Sequence, residues 1–257
     1  AKMQRTRRRP LPSGRLTPTQ AYRFGWLLMI WGVAWLGFLV NWLSAMLAIV
    51  AAASYLLLYT PLKRRTPLCT LIGAIPGAIP PMIGWAAARN ALGVEAWALF
   101  ALLFVWQLPH FLAIAVLFHE DYARAGLRML PVVETQGYAT ARQIALYGLA
   151  LVPVSVFPGV LGLGGVWYVI GALVLSLAFL VLAVRTALQR SSQSARQLFL
   201  ASVIYLPVLL VLLGWNKASA HPLLVPAVSH ALPRAGQVPP FSLVDQHERP
   251  FTQDTLK

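Results

Sequence analysis

Acidic side chains are nearly missing from this chain. Residues 1–214 hold four of them, Glu95, Glu120, Asp121 and Glu134, and three lie in or beside a single short loop. Cysteine occurs once. A lone thiol, Cys69, excludes an intrachain disulfide and has no metal-ligand spacing around it, so it reads as a small packing residue. Charge of any sign is scarce at 11% of residues, against about 25% in ordinary soluble proteins. The first residues do not read as a cleaved signal peptide: the basic stretch is too long, and no small-residue cleavage site follows the first apolar run. No internal repeat stands out.

What is abundant is hydrocarbon. Apolar residues make up 58% of the chain, and seven segments are long and apolar enough to span a bilayer: about 21–40, 41–59, 68–88, 96–118, 143–162, 166–184 and 197–215. Most approach the ~20 residues that a crossing needs. A soluble chain of this length could not bury seven such stripes. The expected fold is therefore all-α, a polytopic membrane helix bundle. Pro10, Pro12, Gly14 and Pro18 argue against regular helix in the first twenty residues. Pro76, Pro80 and Pro81 predict a kinked or broken third span. Broken helices at membrane depth occur where they are buried in protein or line a cavity, and Gly73 and Gly77, four apart, suit close helix packing.

The formal net charge of +14 suggests nucleic acid until its distribution is traced. With residue 1 in the cytoplasm and sides alternating, sixteen basic residues fall on the cytoplasmic side: seven in the N-terminal arm, then Lys63, Arg64 and Arg65, then Arg124, Arg128 and Arg142, then Arg185, Arg190 and Arg196. Arg89 stands alone in the opposite loops. This is the positive-inside pattern, so topology accounts for most of the basic excess and no nucleic-acid partner is expected. A phosphorylated substrate arriving from the cytoplasm would meet a positive face.

Three polar clusters share that side: Arg5 to Arg15, Tyr59 to Pro67, and the loop His119–Pro131 with Glu120 and Asp121. Clustered Arg and Lys grip phosphate oxygens, and a carboxylate can hold a magnesium ion bridging protein and phosphates. Acid and base at one membrane mouth point to a diphosphate-bearing lipid; the alternative is that the basic residues only anchor topology. His110 lies within the fourth span, where an ionisable residue is a functional candidate. Eleven residues separate it from Asp121. In an uninterrupted helix the two would share a face, about 16 Å apart along the axis, with His110 deep in a cavity whose mouth is Asp121. A histidine simply hydrogen-bonded within the bundle is the competing reading.

The segments Tyr59-Thr-Pro-Leu-Lys63-Arg64-Arg65-Thr66-Pro67, Gly84-Trp85-Ala86-Ala87, Pro109-His110-Phe111 and Asp121-Tyr122-Ala123-Arg124-Ala125-Gly126, with Met129-Leu130-Pro131-Val132-Val133, resemble the protoheme IX farnesyltransferases (heme O synthases) of the UbiA-type intramembrane prenyltransferases. The Arg5–Arg15 arm is similar as well. The resemblance covers about residues 1–215. It implies a nine-helix bundle with a cavity open to lipid, and transfer of the farnesyl group of farnesyl diphosphate to a vinyl group of heme b, with Mg2+ as cofactor. By motif position Asp121 would be the metal-binding acid. Lys63, Arg64 and Arg124 would hold the diphosphate, with Tyr59 beside them and Arg5 and Arg7 reaching in from the arm. Asp121, Lys63 and Arg64 would carry catalysis, and His110 would be a cavity residue near the heme.

The family's first motif, Asn-x-x-x-Asp-x-x-x-Asp, and the two helices ahead of it would precede Ala1. The chain therefore reads as an N-terminally truncated copy with one strong carboxylate left for magnesium, and reduced or absent activity is expected of it alone. Residues 216–238 read as a linker. Residues 239–257 resemble the opening strands of Sco/SenC-type copper chaperones, a truncated thioredoxin-like domain without its copper ligands, with a short hairpin around Phe241, Leu243 and Phe251. Both resemblances concern heme–copper oxidase assembly, which suggests assembly factors as partners. The expected location is the bacterial inner membrane, with the site facing the cytoplasm and the tail extracytoplasmic. Two alternatives stay open: a UbiA-type prenyltransferase acting on a quinone precursor, against which Ala125 stands where a fuller Asp-x-x-x-Asp would have its second acid, and a heme-binding scaffold without chemistry.

Overall fold

The computed structural model describes residues 3, 6–134, 136–217, 242–244 and 250–252. The chain divides into two units, residues 1–224 and 225–257. The first is helical: α1 Pro18–Leu39, α2 Trp42–Ala53, a π-helical turn Ser54–Tyr59, α3 Thr60–Leu62, α4 Cys69–Ala78, α5 Pro80–Arg89, α6 Val94–Leu117, α7 His119–Arg124, α8 Leu130–Val133, α9 Tyr138–Val160, α10 Val166–Gln189 and α11 Ser192–Trp215. Among the described residues, seven helical stretches are long and apolar enough to cross a membrane, at the places the sequence predicts. The protein is an integral membrane protein.

Local chemistry sets the ends of these helices. Thr17 and Gln20 form a reciprocal capping box, the Gln20 N–H donating to Thr17 Oγ1 at 3.2 Å and the Thr17 N–H to Gln20 Oε1 at 3.0 Å. Pro18 then occupies the first helical position, where its missing N–H costs nothing. The proline expected to prevent helix therefore starts one. Asn41 caps α2 by accepting from the Ser44 N–H at 2.8 Å, and its amide donates to the Ala86 carbonyl at 2.7 Å, pinning α2 to the end of α5. The third span is interrupted at Ile79, because Pro80 and Pro81 supply no N–H to the preceding turn. Gly73 and Gly77 pack as the sequence suggests: a Cβ at Gly77 would lie 2.0 Å from Gln107 Oε1, and the Gln107 amide donates to the Ala74 carbonyl at 3.1 Å.

The core sits among α6, α9, α10 and α11, around Leu102, Leu112, Ile144, Leu151, Phe179 and Leu198. Lipid tails are as apolar as leucine, so these helices are held by close packing and interhelical hydrogen bonds. A hydroxyl chain supplies two: Tyr168 OH donates to the Ser155 carbonyl at 2.8 Å, and Tyr205 OH meets Ser155 Oγ, whose contact with the Leu151 carbonyl lies within α9. At the far end Asn216 accepts at its carbonyl from the Gly165 N–H and at Oδ1 from the Tyr168 N–H, closing the turn between α9 and α10 onto the end of α11.

In the second unit β1 Ser242–Val244 and β2 Pro250–Thr252 form an antiparallel pair, with Leu243 opposite Phe251. The expected linker, 216–238, lies outside the described residues except for Asn216 and Lys217.

Candidate functional site

The basic and acidic loops meet at one end of the bundle. The Arg128 N–H donates to the Lys63 carbonyl at 2.9 Å, and Cys69 Sγ contacts Met129 Sδ at 3.7 Å. These two straps join the segment 119–131 to the segment 59–69. Asp121, in the six-residue α7, is buried at 7% exposure and is ion-paired with Arg124, one turn further on and itself exposed. Lys63 Nζ lies 5.8 Å from the centre of the Tyr59 ring. Arg64 is exposed beside it. The arrangement is a buried carboxylate held by a guanidinium, next to a second cationic loop with a half-buried Lys63 against Tyr59 and an exposed Arg64. Such groups bind phosphate oxygens.

Tyr59 owes its place to the π-helical turn Ser54–Tyr59. Turns of this kind are frequent at functional positions because one extra residue re-aims the side chains after it. The Tyr59 ring lies over Gly73, where a Cβ would sit 2.7 Å from Cδ2. No sequence signal marked this turn; the glycine opposite was the only hint.

Of the other expected residues, Arg7 lies exposed in the turns that precede α1, and Arg5 lies outside the described residues. His110 does not share a continuous helix with Asp121, which corrects the sequence expectation. Helix α6 ends at Leu117, and Phe118 leaves the helical region at φ −119°, ψ 27° before α7 begins. The rotation counted along an unbroken helix therefore does not relate the two side chains. His110 instead joins α6 to α11. Its Nδ1 is 2.7 Å from Ser202 Oγ, and its ring stacks on Trp106 with centroids 5.0 Å apart and lies 5.3 Å from Phe199. Trp106 Nε1 donates to the Ser202 carbonyl at 3.0 Å. Ser202 was missed in the sequence, although a hydroxyl inside an apolar span is a position to query.

Glu134 is a further acid with a defined task. Its carboxylate accepts from the Ala139 N–H at 2.7 Å and from the Thr140 N–H and hydroxyl at 3.1 and 3.3 Å, capping α9 beyond Gly137. Desolvation pushes its carboxyl upward, but these donors outweigh that and hold it below the usual glutamate range. It is thus engaged in structure.

Among the described residues no three His, Cys, Asp or Glu side chains gather as a metal site. Magnesium, however, commonly takes one or two carboxylates and fills its remaining positions with substrate phosphates and water. A single buried carboxylate beside phosphate-binding cations is a donor set of that kind.

The bundle and this end of it define an integral membrane helical protein whose cationic side chains and one buried carboxylate gather at one end. The profile of the UbiA prenyltransferase family matches residues 1–227, and the chain belongs to that family. It is a prenyltransferase. Family members generally use a divalent metal ion. The chain is 55% identical over 210 residues to a protoheme IX farnesyltransferase of Solibacter usitatus, covering 81% of this chain and 71% of that protein. It is 46% identical over 224 residues to one of Koribacter versatilis, covering 84% and 72%. A solved structure of digeranylgeranylglyceryl phosphate synthase aligns with TM-score 0.69 at 19% identity over 82% of this chain and 76% of that one, a likeness of fold.

Proposed function

We propose that this chain transfers the farnesyl group of farnesyl diphosphate to a vinyl group of heme b, giving heme O. The observation that carries the reading is the joining of the Lys63 loop to the Asp121 loop through the Arg128–Lys63 backbone bond, in a chain resembling protoheme IX farnesyltransferases along most of its length. Lys63, Arg64 and Arg124 hold the diphosphate; Tyr59 sits beside Lys63 and shapes the entry. Arg5 and Arg7 are offered as further phosphate contacts from the arm. Asp121 would hold Mg2+, which would supply Lewis-acid neutralisation of charge on the leaving diphosphate.

The protein's own share is electrostatic and positional. Cations fixed before the reaction stabilise the developing negative charge without having to reorganise. The apolar bundle keeps water from the allylic cation until the vinyl carbon has attacked; water then adds to the cation left on the former vinyl group and loses a proton, giving the hydroxyl of heme O. The Arg124 guanidinium is ion-paired with the Asp121 carboxylate and fixes its position beside the cationic loop. The site faces the cytoplasm, a reading supported by the distribution of basic residues, in a bacterial inner membrane.

The test is an assay of membranes carrying this chain, in parallel with membranes carrying the Solibacter usitatus relative. Both receive heme b, farnesyl diphosphate and Mg2+, and products are read by mass spectrometry. Heme O from this chain, lost on Lys63→Ala, supports the reading. Heme uptake without prenylation, while the relative makes heme O, favours a heme-binding scaffold instead, a reading for which the His110 surroundings provide the motive.

A further inference from the structure

Ser202 has two short contacts and one proton to give. Its Oγ is 2.6 Å from the Phe199 carbonyl and 2.7 Å from His110 Nδ1. A carbonyl only accepts, so the hydroxyl must donate to Phe199; otherwise two lone pairs would face each other at that distance. The Ser202 oxygen then accepts, and His110 Nδ1 carries the ring proton. In the neutral imidazole this leaves Nε2 with a lone pair. Nε2 has no partner among the described residues, yet no fully enclosed side-chain nitrogen or oxygen there lacks one. Nε2 is therefore not fully enclosed.

The frame around the ring is rigid. Ser202 is fully buried and sits one turn from Phe199, which packs against the imidazole. Trp106 stacks on the same ring and is tied to the Ser202 backbone; Phe111 lies 5.6 Å away. An imidazole with its proton held at one nitrogen, its lone pair without a partner among the described residues at the other, and a flat aromatic wall beside it has the features of an axial ligand for a metalloporphyrin.

We propose that Ser202 is a positioning residue: it locks His110 in the Nδ1–H tautomer so that Nε2 binds the iron of the heme substrate. This rests on the heme reading above and deepens it. The hydroxyl does not touch heme. It sets which nitrogen is available and the plane of the ring, and so the orientation in which the porphyrin offers its vinyl edge.

The tautomer is measured first without heme, by nitrogen-15 NMR of histidine-labelled protein in lipid, with His110 assigned through His110→Ala. The expected spectrum has Nδ1 protonated and Nε2 bare; a protonated Nε2 overturns the proposal. Ferrous heme is then added to the native chain and to His110→Ala, Ser202→Ala and Ser202→Thr. The native chain should give an iron–histidine stretching band in resonance Raman that His110→Ala abolishes. Ser202→Ala should shift that band and weaken heme binding about 10–100-fold, and Ser202→Thr should restore both. A band and affinity unchanged in Ser202→Ala, or heme bound identically by His110→Ala, overturns this proposal; heme O production by the same membranes would then leave the function reading standing. A native chain that takes up no heme removes both. Should Ser202→Ala fail to fold, the native NMR spectrum and the Ser202→Thr band still decide.

Discussion

Two sectors of the bundle use the same amino acids to opposite ends. Helices α6, α9, α10 and α11 approach so closely that a Cβ at Gly148 would lie 2.7 Å from the Ala183 Cβ, and one at Gly171 would lie 2.7 Å from Leu212. Helix α1 has no buried residue at all, and a Cβ at its Gly25 or Gly32 would meet nothing within 4 Å. Between α1 and α2 lies an apolar groove of about 1110 Å³, bordered by Tyr22, Trp26, Met29, Ile49 and Leu56. In hydrocarbon an exposed leucine is no penalty, so composition cannot say which face of a span meets protein. Small residues say it only where another backbone comes near. The His110 frame belongs to the tightly packed sector, joining α6 to α11; the candidate site straddles the two, with Tyr59 in the π-helical turn after α2 and Asp121 in α7 after α6.

The sharpest break of this comparison is expected at the site. Asp121→Asn should lower heme O formation by about 10²–10³-fold, the scale for loss of one preorganised electrostatic group, whereas Glu120→Gln, exposed one residue earlier, should leave it near the native rate. Both are read in the membrane assay. Next come the glycines. Gly148→Leu should destabilise the fold by about 1–3 kcal/mol through overpacking, while Gly25→Leu on α1 should leave thermal unfolding in lipid nearly unchanged; equal effects would mean that α1 is packed too. Smaller still, Ser155→Ala should cost about 1 kcal/mol by removing the hydroxyl that Tyr205 meets, and Ser44→Ala on α2, whose bond to the Ile83 carbonyl is 3.3 Å long, should cost less.

The smallest effect is one of pH. Glu134 has a carboxyl held below its ordinary value of about 4.3. The stability it adds is therefore present above that value and is lost as pH falls through the lower folded-state value. Glu134→Gln should lower stability slightly at neutral pH and leave it little changed at the acid end, so that the pH dependence of unfolding flattens.

Much of this was legible from the sequence, for physical reasons that differ by residue. The seven spans follow from length and apolarity, because no other state of such a segment is tolerable in water. The break in the third span follows from Pro80 and Pro81, which cannot donate. Lys63, Arg64 and Asp121 stand out because charge is so rare here. The relation of His110 to Asp121 was not legible. Phe118 carries no residue-level mark of a helix end, and a count along an assumed helix overran it. The π-helical turn was hidden for the same reason, since SYLLLY reads as ordinary helix and only the packing of Tyr59 over Gly73 makes the extra residue worthwhile.

Covalent order and side-chain chemistry by themselves determined that this chain enters a membrane, how many times it can cross and which loops can hold phosphate, because desolvation of backbone and charge is a local cost paid residue by residue. Which loops touch, which nitrogen of His110 keeps the proton and which glycines are pressed against a neighbour were decided only when the helices packed. Each depends on a second residue far away in the chain, Lys63 with Arg128, His110 with Ser202 and Gly148 with Ala183, and nothing along the sequence specifies that partner before the three-dimensional contact exists.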